Sequence, residues 1–181
     1  MANVKAAVDF VMKQEDSTLS GVITNAPADR GGCTRFGIAA KWHPELADTD
    51  FFNSSMSPQD AFPIAEQAYE TQYVPVLHLD ALASDAVATA LLSFGVLEGT
   101  LEAVTVLQNA IVMLGTPITV DGKMGPATVA AANSCDPQKL ITAVVQLQKA
   151  HFAHIAAVNP SQAVWVHGWD NRADLLMSIA V

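Results

Sequence analysis

The chain has 181 residues, of which 51% are hydrophobic and only 15% charged, which excludes a disordered polypeptide and provides enough apolar surface for a core without staples. Eighteen acidic residues against nine basic ones leave a net charge of −9, so there is no basic stripe for nucleic acid and no bulk attraction to an anionic surface. Alanine alone contributes 30 residues, and as the strongest helix former it tilts the composition toward a mostly α fold.

Taken in chain order, residues 1–15 read as an amphipathic helix with Val4, Val8, Val11 and Met12 at helical spacing. Lys5 is the only early cation and charges recur at Asp9, Lys13 and Glu15, a pattern unlike a signal peptide. No stretch approaches the roughly 18 uncharged apolar residues of a transmembrane helix, so no membrane association is expected. Residues 21–24 and 34–38 are short β-like pieces flanking Asn25-Ala-Pro-Ala-Asp29-Arg-Gly31-Gly32, which predicts a small hairpin or irregular loop. Ser57-Pro58-Gln59-Asp60 starts a helix predicted to stop near Tyr73, before Pro75.

Ser84 and Asp85 start the next helix, ending near Gly95 or Gly99, and a third covers residues 100–114, closed by Gly115 and Pro117. A tight turn around Asp121-Gly122 then feeds a short helix at Pro126. Asp136-Pro137 caps a long helix to about Val158, and a last helix covers residues 161–180. The fold class is mostly α, with one small β element in the first half.

Glu15 continues the apolar stripe of the first helix and falls at its C-terminal end. Partial burial and the negative pole of the helix would both raise its pKa, as a general acid requires, whereas a helix-end glutamate that simply points to water is the plainer alternative. Asp29 lies in a loop whose glycines permit close backbone approach to a ligand, and Thr34 follows. An ionised Asp29 facing a protonated Glu15 would form the carboxylate pair of a glycosidase; an ordinary turn aspartate is the alternative.

Glu15, the loop from Asn25 to Gly32, and Thr34-Arg-Phe36-Gly37-Ile38 together resemble the N-terminal signature of glycoside hydrolase family 108, the lysozyme-like N-acetylmuramidases found among phage endolysins and bacterial secretion activators. Leu107-Gln108-Asn109-Ala110, Val120-Asp121-Gly122 with Gly125-Pro126, and Gly168-Trp169-Asp170-Asn171-Arg172 resemble that family's C-terminal peptidoglycan-binding region. The family's Glu-Gly-Gly is Glu15-Asp16-Ser17 here, and the segment from Glu15 to the double glycine is longer.

The resemblance implies a lysozyme-like fold with a catalytic lobe over 1–98 and a helical lobe over 99–181. It also implies a monomeric hydrolase acting on peptidoglycan, with Glu15, Asp29 and Thr34 catalytic and with Asn25, Phe36, Trp169, Asn171 and Arg172 meeting substrate. That chemistry needs neither metal nor organic cofactor. An endolysin would accumulate in the host cytoplasm and reach the wall through a holin pore. A non-catalytic wall-binding or secretion-accessory protein of the same fold, and a stem-peptide peptidase or amidase, are the competing classes.

Other residues carry weaker signals. His151 and His154, with His167 beyond, lack the spacing of a zinc motif, and Asp121 has too few carboxylate neighbours for a calcium loop. Cys33 and Cys135 are too few for a disulfide framework and contain no Cys-x-x-Cys pair, and a free thiol is the expectation for Cys33. Trp169 and Arg172 have two readings from residue type alone: a sugar platform with a carboxylate clamp, or a core aromatic with a structural donor.

Overall fold

A computed structural model describes residues 1–25 and 32–179, and Asp29 and Gly31 therefore lie outside the described residues. The described residues contain eight α-helices and one two-stranded antiparallel sheet, a mostly α, lysozyme-like architecture. The helices are α1 (Val4–Glu15), α2 (Pro44–Ala47), α3 (Pro58–Leu77), α4 (Asp85–Glu98), α5 (Thr100–Met113), α6 (Pro126–Ser134), α7 (Pro137–Val158) and α8 (Val166–Ile179). The strands are β1 (Thr34–Arg35) and β2 (Ile38–Ala39), with Thr34 opposite Ala39 and Arg35 opposite Ile38. None of the described helices is long and apolar enough to cross a membrane. The chain forms two compact units, Val8–Gln72 and the remainder, with boundaries inside α1 and α3.

In the unit over Val8–Gln72, α1 buries Val8, Val11 and Met12 as its spacing predicts. The hairpin contributes Phe36 and Ile38 to the core, and α3 contributes Ala61, Ala65 and Tyr69. Phe36 meets Phe62 edge-to-face at 5.7 Å. The hairpin is tighter than expected: 34–39 folds on itself, while the earlier piece supplies only a bridge from Thr24 to Thr34. Phe36 and Gly37 turn the chain at φ +50° and +78°, which is what lets strands of two residues pair.

Helix α3 starts where the sequence places it: Ser57 Oγ accepts from the Asp60 backbone N–H at 3.1 Å and donates to the Asp60 carboxylate at 2.6 Å. It does not stop before Pro75 but runs to Leu77, and His78, at φ +47°, ends it. A proline within a helix lacks its own N–H bond and crowds the carbonyl four residues before it, but Pro75 lies only two residues from the end of α3, where the helix stops in any case.

In the other unit α4 is the central element. Its residues from Ala86 to Gly95 are all buried, which a surface helix would not show, and it packs on α5, α7 and α8. Ser84 and Asp136 cap α4 and α7 through the backbone N–H groups of Val87 and Lys139. Gly99 and Gly115, both at φ +92°, separate α4 from α5 and end α5. The last expected helix is split: a 3-10 segment, Pro160–Trp165, precedes α8.

The Asp121 turn is organised by Gln108, which is 1% exposed. Its Oε1 accepts from the backbone N–H groups of Asp121 and Gly122, and its Nε2 donates to Asp121 Oδ1, the Lys123 carbonyl and Thr128 Oγ1. The carboxylate of Asp121 is thus committed to closing its own turn.

Candidate active site

Glu15 is the last residue of α1, and the chain leaves the helix there through a loop tied by the next side chain. Asp16 accepts from the Gly21 backbone N–H at 2.8 Å, from Ser20 Oγ at 3.1 Å and from Thr18 Oγ1 at 3.2 Å. Burial pushes the Asp16 carboxyl up, but the backbone N–H groups of Gly21 and Ser20 and the two hydroxyls outweigh it, and the net shift is downward. The residue replacing the first glycine of the family motif is therefore an anionic staple for residues 16–21.

A groove of about 460 Å³ opens beside this loop, lined by Glu15, Asp16, Ser20, Thr34, Phe36 and Gly37 among others. Glu15 itself is exposed, contrary to the partial burial expected from the apolar stripe. The helix ends at this residue, so no further turn of it covers the side chain. Gly37 sits so close that a β-carbon built on it would lie 2.6 Å from Glu15 Cβ and 2.7 Å from Tyr69 Oη. Tyr69 Oη in turn donates to the Phe36 carbonyl at 3.1 Å, fixing the turn that carries Gly37.

Thr34 is held through its backbone, exchanging bonds of 2.8 and 2.9 Å with Thr24, and its hydroxyl donates to the Gly32 carbonyl at 3.4 Å. Phe36 is 2% exposed and contributes a buried wall to the groove, while Asn25 is exposed beside the Thr24 bridge. Glu15, Thr34 and Phe36 thus line one groove; Asp29 lies outside the described residues.

Trp169, Asn171 and Arg172 fall in the other unit. Trp169 is half-buried, its ring 5.3 Å from that of Phe152. Arg172 donates from Nε to Ser93 Oγ at 3.0 Å and from Nη2 to the Ser93 carbonyl at 3.2 Å, tying α8 to α4. Asn171 is exposed, with Nδ2 3.3 Å from His167 Nε2. His151 lies between Glu98 and Glu102 at 3.3 and 3.2 Å. Among the described residues no group of three or more His, Cys, Asp or Glu side chains is placed to hold a metal ion, and Cys33 and Cys135 are free thiols.

Two structural residues carry little signal in the sequence. Arg35 is 2% exposed and donates to three backbone carbonyls: Nε to Gly21 at 2.9 Å, Nη1 to Phe51 at 2.8 Å and Nη2 to Met56 at 2.9 Å. Burial lowers its pKa. Asp16 was visible only as a departure from a motif, although an aspartate followed by Thr18 and Ser20 is a turn-forming pattern.

An acidic groove in a lysozyme-like α unit, joined in one chain to a helical wall-binding region, defines a glycoside hydrolase that acts on peptidoglycan. Residues 8–99 match the family Glycosyl hydrolase 108, and the chain belongs to it. Residues 102–174 match the family described as Predicted Peptidoglycan domain. Among solved structures, that of Brucella abortus SagA is similar, with 22% identity over 98% of this chain and 92% of that one and a TM-score of 0.70, a likeness of fold. No curated protein sequence matches the chain.

Proposed function

We propose that the chain is an N-acetylmuramidase that hydrolyses the β-1,4 bond between N-acetylmuramic acid and N-acetylglucosamine. The observation that carries this reading is the shared lining of one groove by Glu15 and Thr34 inside the segment matched by the hydrolase family. In this reading Glu15 protonates the glycosidic oxygen as the bond breaks. Asp29 and the Thr34 hydroxyl orient the attacking water or stabilise positive charge on the sugar ring.

The proposed biological role is that of an endolysin, produced in the host cytoplasm and released to the wall through a holin pore to lyse the cell. Kinship of the family with phage endolysins supports it. The replacement of Gly-Gly by Asp16-Ser17 beside the acid favours a second reading, a wall-binding or secretion-accessory protein without catalysis.

Mass spectrometry of digested cell-wall fragments decides between them. New reducing-end muramic acid is expected with the native chain and is expected to vanish with Glu15→Gln. Free stem peptide marks an amidase instead, and no product marks a binder. Full activity in Glu15→Gln refutes the role given to Glu15.

A further inference from the structure

A second groove in the unit over Val8–Gln72, of about 560 Å³, shares no lining residue with the Glu15 groove. It runs between α2 with its preceding turn and one face of α3, and its volume is in the range of small-ligand sites. Leu46, Pro63, Ile64 and Ala68 give it an apolar lining, and Trp42, 66% exposed, stands at its side. Lys41 Nζ lies 4.8 Å from the Trp42 ring centroid, holding the indole in place on the surface.

The polar groups of the lining select a ligand. Gln67, Thr71 and Gln72 bring neutral donors and acceptors to successive turns of α3. The lining holds no lysine or arginine, and its one histidine, His43, is buried with Nδ1 2.8 Å from Glu45 Oε1. A stem peptide or a lactyl ether would bring carboxylates to a lining that already holds the Glu45 carboxylate, with Lys41 over the Trp42 ring as the cation at its side. A neutral sugar with an acetamido group matches the aromatic ring with its apolar face, the apolar floor with its acetyl methyl, and the Gln72 amide, the Gln67 carbonyl and the Glu45 carboxylate with its N–H, carbonyl and hydroxyls, while Gln67 Nε2 donates to Thr71 Oγ1 at 3.1 Å.

We infer that this groove is a glycan-holding site for N-acetylhexosamine units, separate from the Glu15 groove, that anchors a wall strand on the catalytic unit. The inference rests on the peptidoglycan-hydrolase reading for its ligand class, but its test is a binding measurement independent of cleavage.

The full-length Glu15→Gln chain, labelled with ¹⁵N, is titrated with the N-acetylglucosamine trimer. The expected result is that the Trp42 indole N–H and the Gln67 and Gln72 side-chain amides shift, and that Trp42→Ala in the same background weakens binding about tenfold. Ala68→Phe, which fills the floor, is expected to abolish those shifts. The inference is overturned if the shifts gather only at Ser20, Val22 and Gly37. Unchanged affinity in both Trp42→Ala and Ala68→Phe also overturns it, as does displacement of the trimer from Trp42 by a free stem tetrapeptide. Persistent hydrolysis by Glu15→Gln would refute the role given to Glu15, and release of free stem peptide would sink the muramidase assignment; either leaves this titration readable on its own.

Discussion

Gly37 bears directly on the side chain of Glu15. At φ +78° it adopts a conformation that costs an L-residue about 1–2 kcal/mol, and a β-carbon there would overlap Glu15 Cβ and Cγ at 2.6 and 2.8 Å. Gly37→Ala must therefore move the acid or the turn. A displacement of about 1 Å costs on the order of 10²-fold in rate, and that loss is expected in kcat on cell-wall substrate. Gly115→Ala is the control, because Gly115 has φ +92° with nothing within 4 Å of the added carbon. It carries a similar backbone cost and should retain activity; equal losses in the two variants would show that stability alone is being read.

Arg35 holds three carbonyls of three separate segments with one planar cation. Arg35→Met fills much of the same space but leaves those acceptors without a donor, at an expected cost of about 3–5 kcal/mol in urea unfolding. Arg35→Lys keeps the charge but cannot reach three directions at once and should recover less than half of the loss. A methionine variant as stable as the native chain would mean the carbonyls find other partners.

The depressed pKa of Asp16 makes the loop beside Glu15 pH-dependent in a defined direction. A carboxylate whose folded pKa lies below its ordinary value of 3.8 contributes stability that is fully present above that value and is lost as pH falls through the folded one. Asp16→Asn should then be less stable than the native chain at pH 7, with the difference shrinking below about pH 4 as the native side chain also becomes neutral. Urea unfolding of both proteins from pH 3 to pH 7 measures this. A gap that stays constant across that range would mean the Asp16 charge is not what holds residues 16–21.

These residues also mark what the chain makes legible. The starts of α3, α4 and α7 are local, since a serine or aspartate cap reaches only to the third residue beyond it, and Ser57, Ser84 and Asp136 announce them. Glu15, marked by its place at the end of the first helix, and Thr34, marked by the motif, both line one groove. The burial of Arg35 was not legible, because its partners lie 14 to 21 residues away and none carries a charge that would advertise the pairing. The exposure of Glu15 is not legible for a related reason: periodicity extends a buried stripe only as far as a neighbouring element covers it. The Trp42 groove depends on the approach of α2 to α3, which no local pattern encodes.

Arg172 gives the C-terminal motif its sharpest test. Sequence left it either clamping a stem-peptide carboxylate or serving as an internal donor, and its guanidinium meets both the hydroxyl and the carbonyl of Ser93 on α4. Ser93 is 2% exposed, so removing the donor strands a buried acceptor. Arg172→Met is expected to lower stability by about 1–3 kcal/mol while leaving kcat on a soluble glycan oligomer unchanged. Ser93→Ala, which removes one partner and keeps the arginine, should reproduce part of that loss. If Arg172→Met instead unfolds at the native urea concentration while KM on intact sacculi rises, the arginine faces the wall polymer and the tether to α4 is incidental.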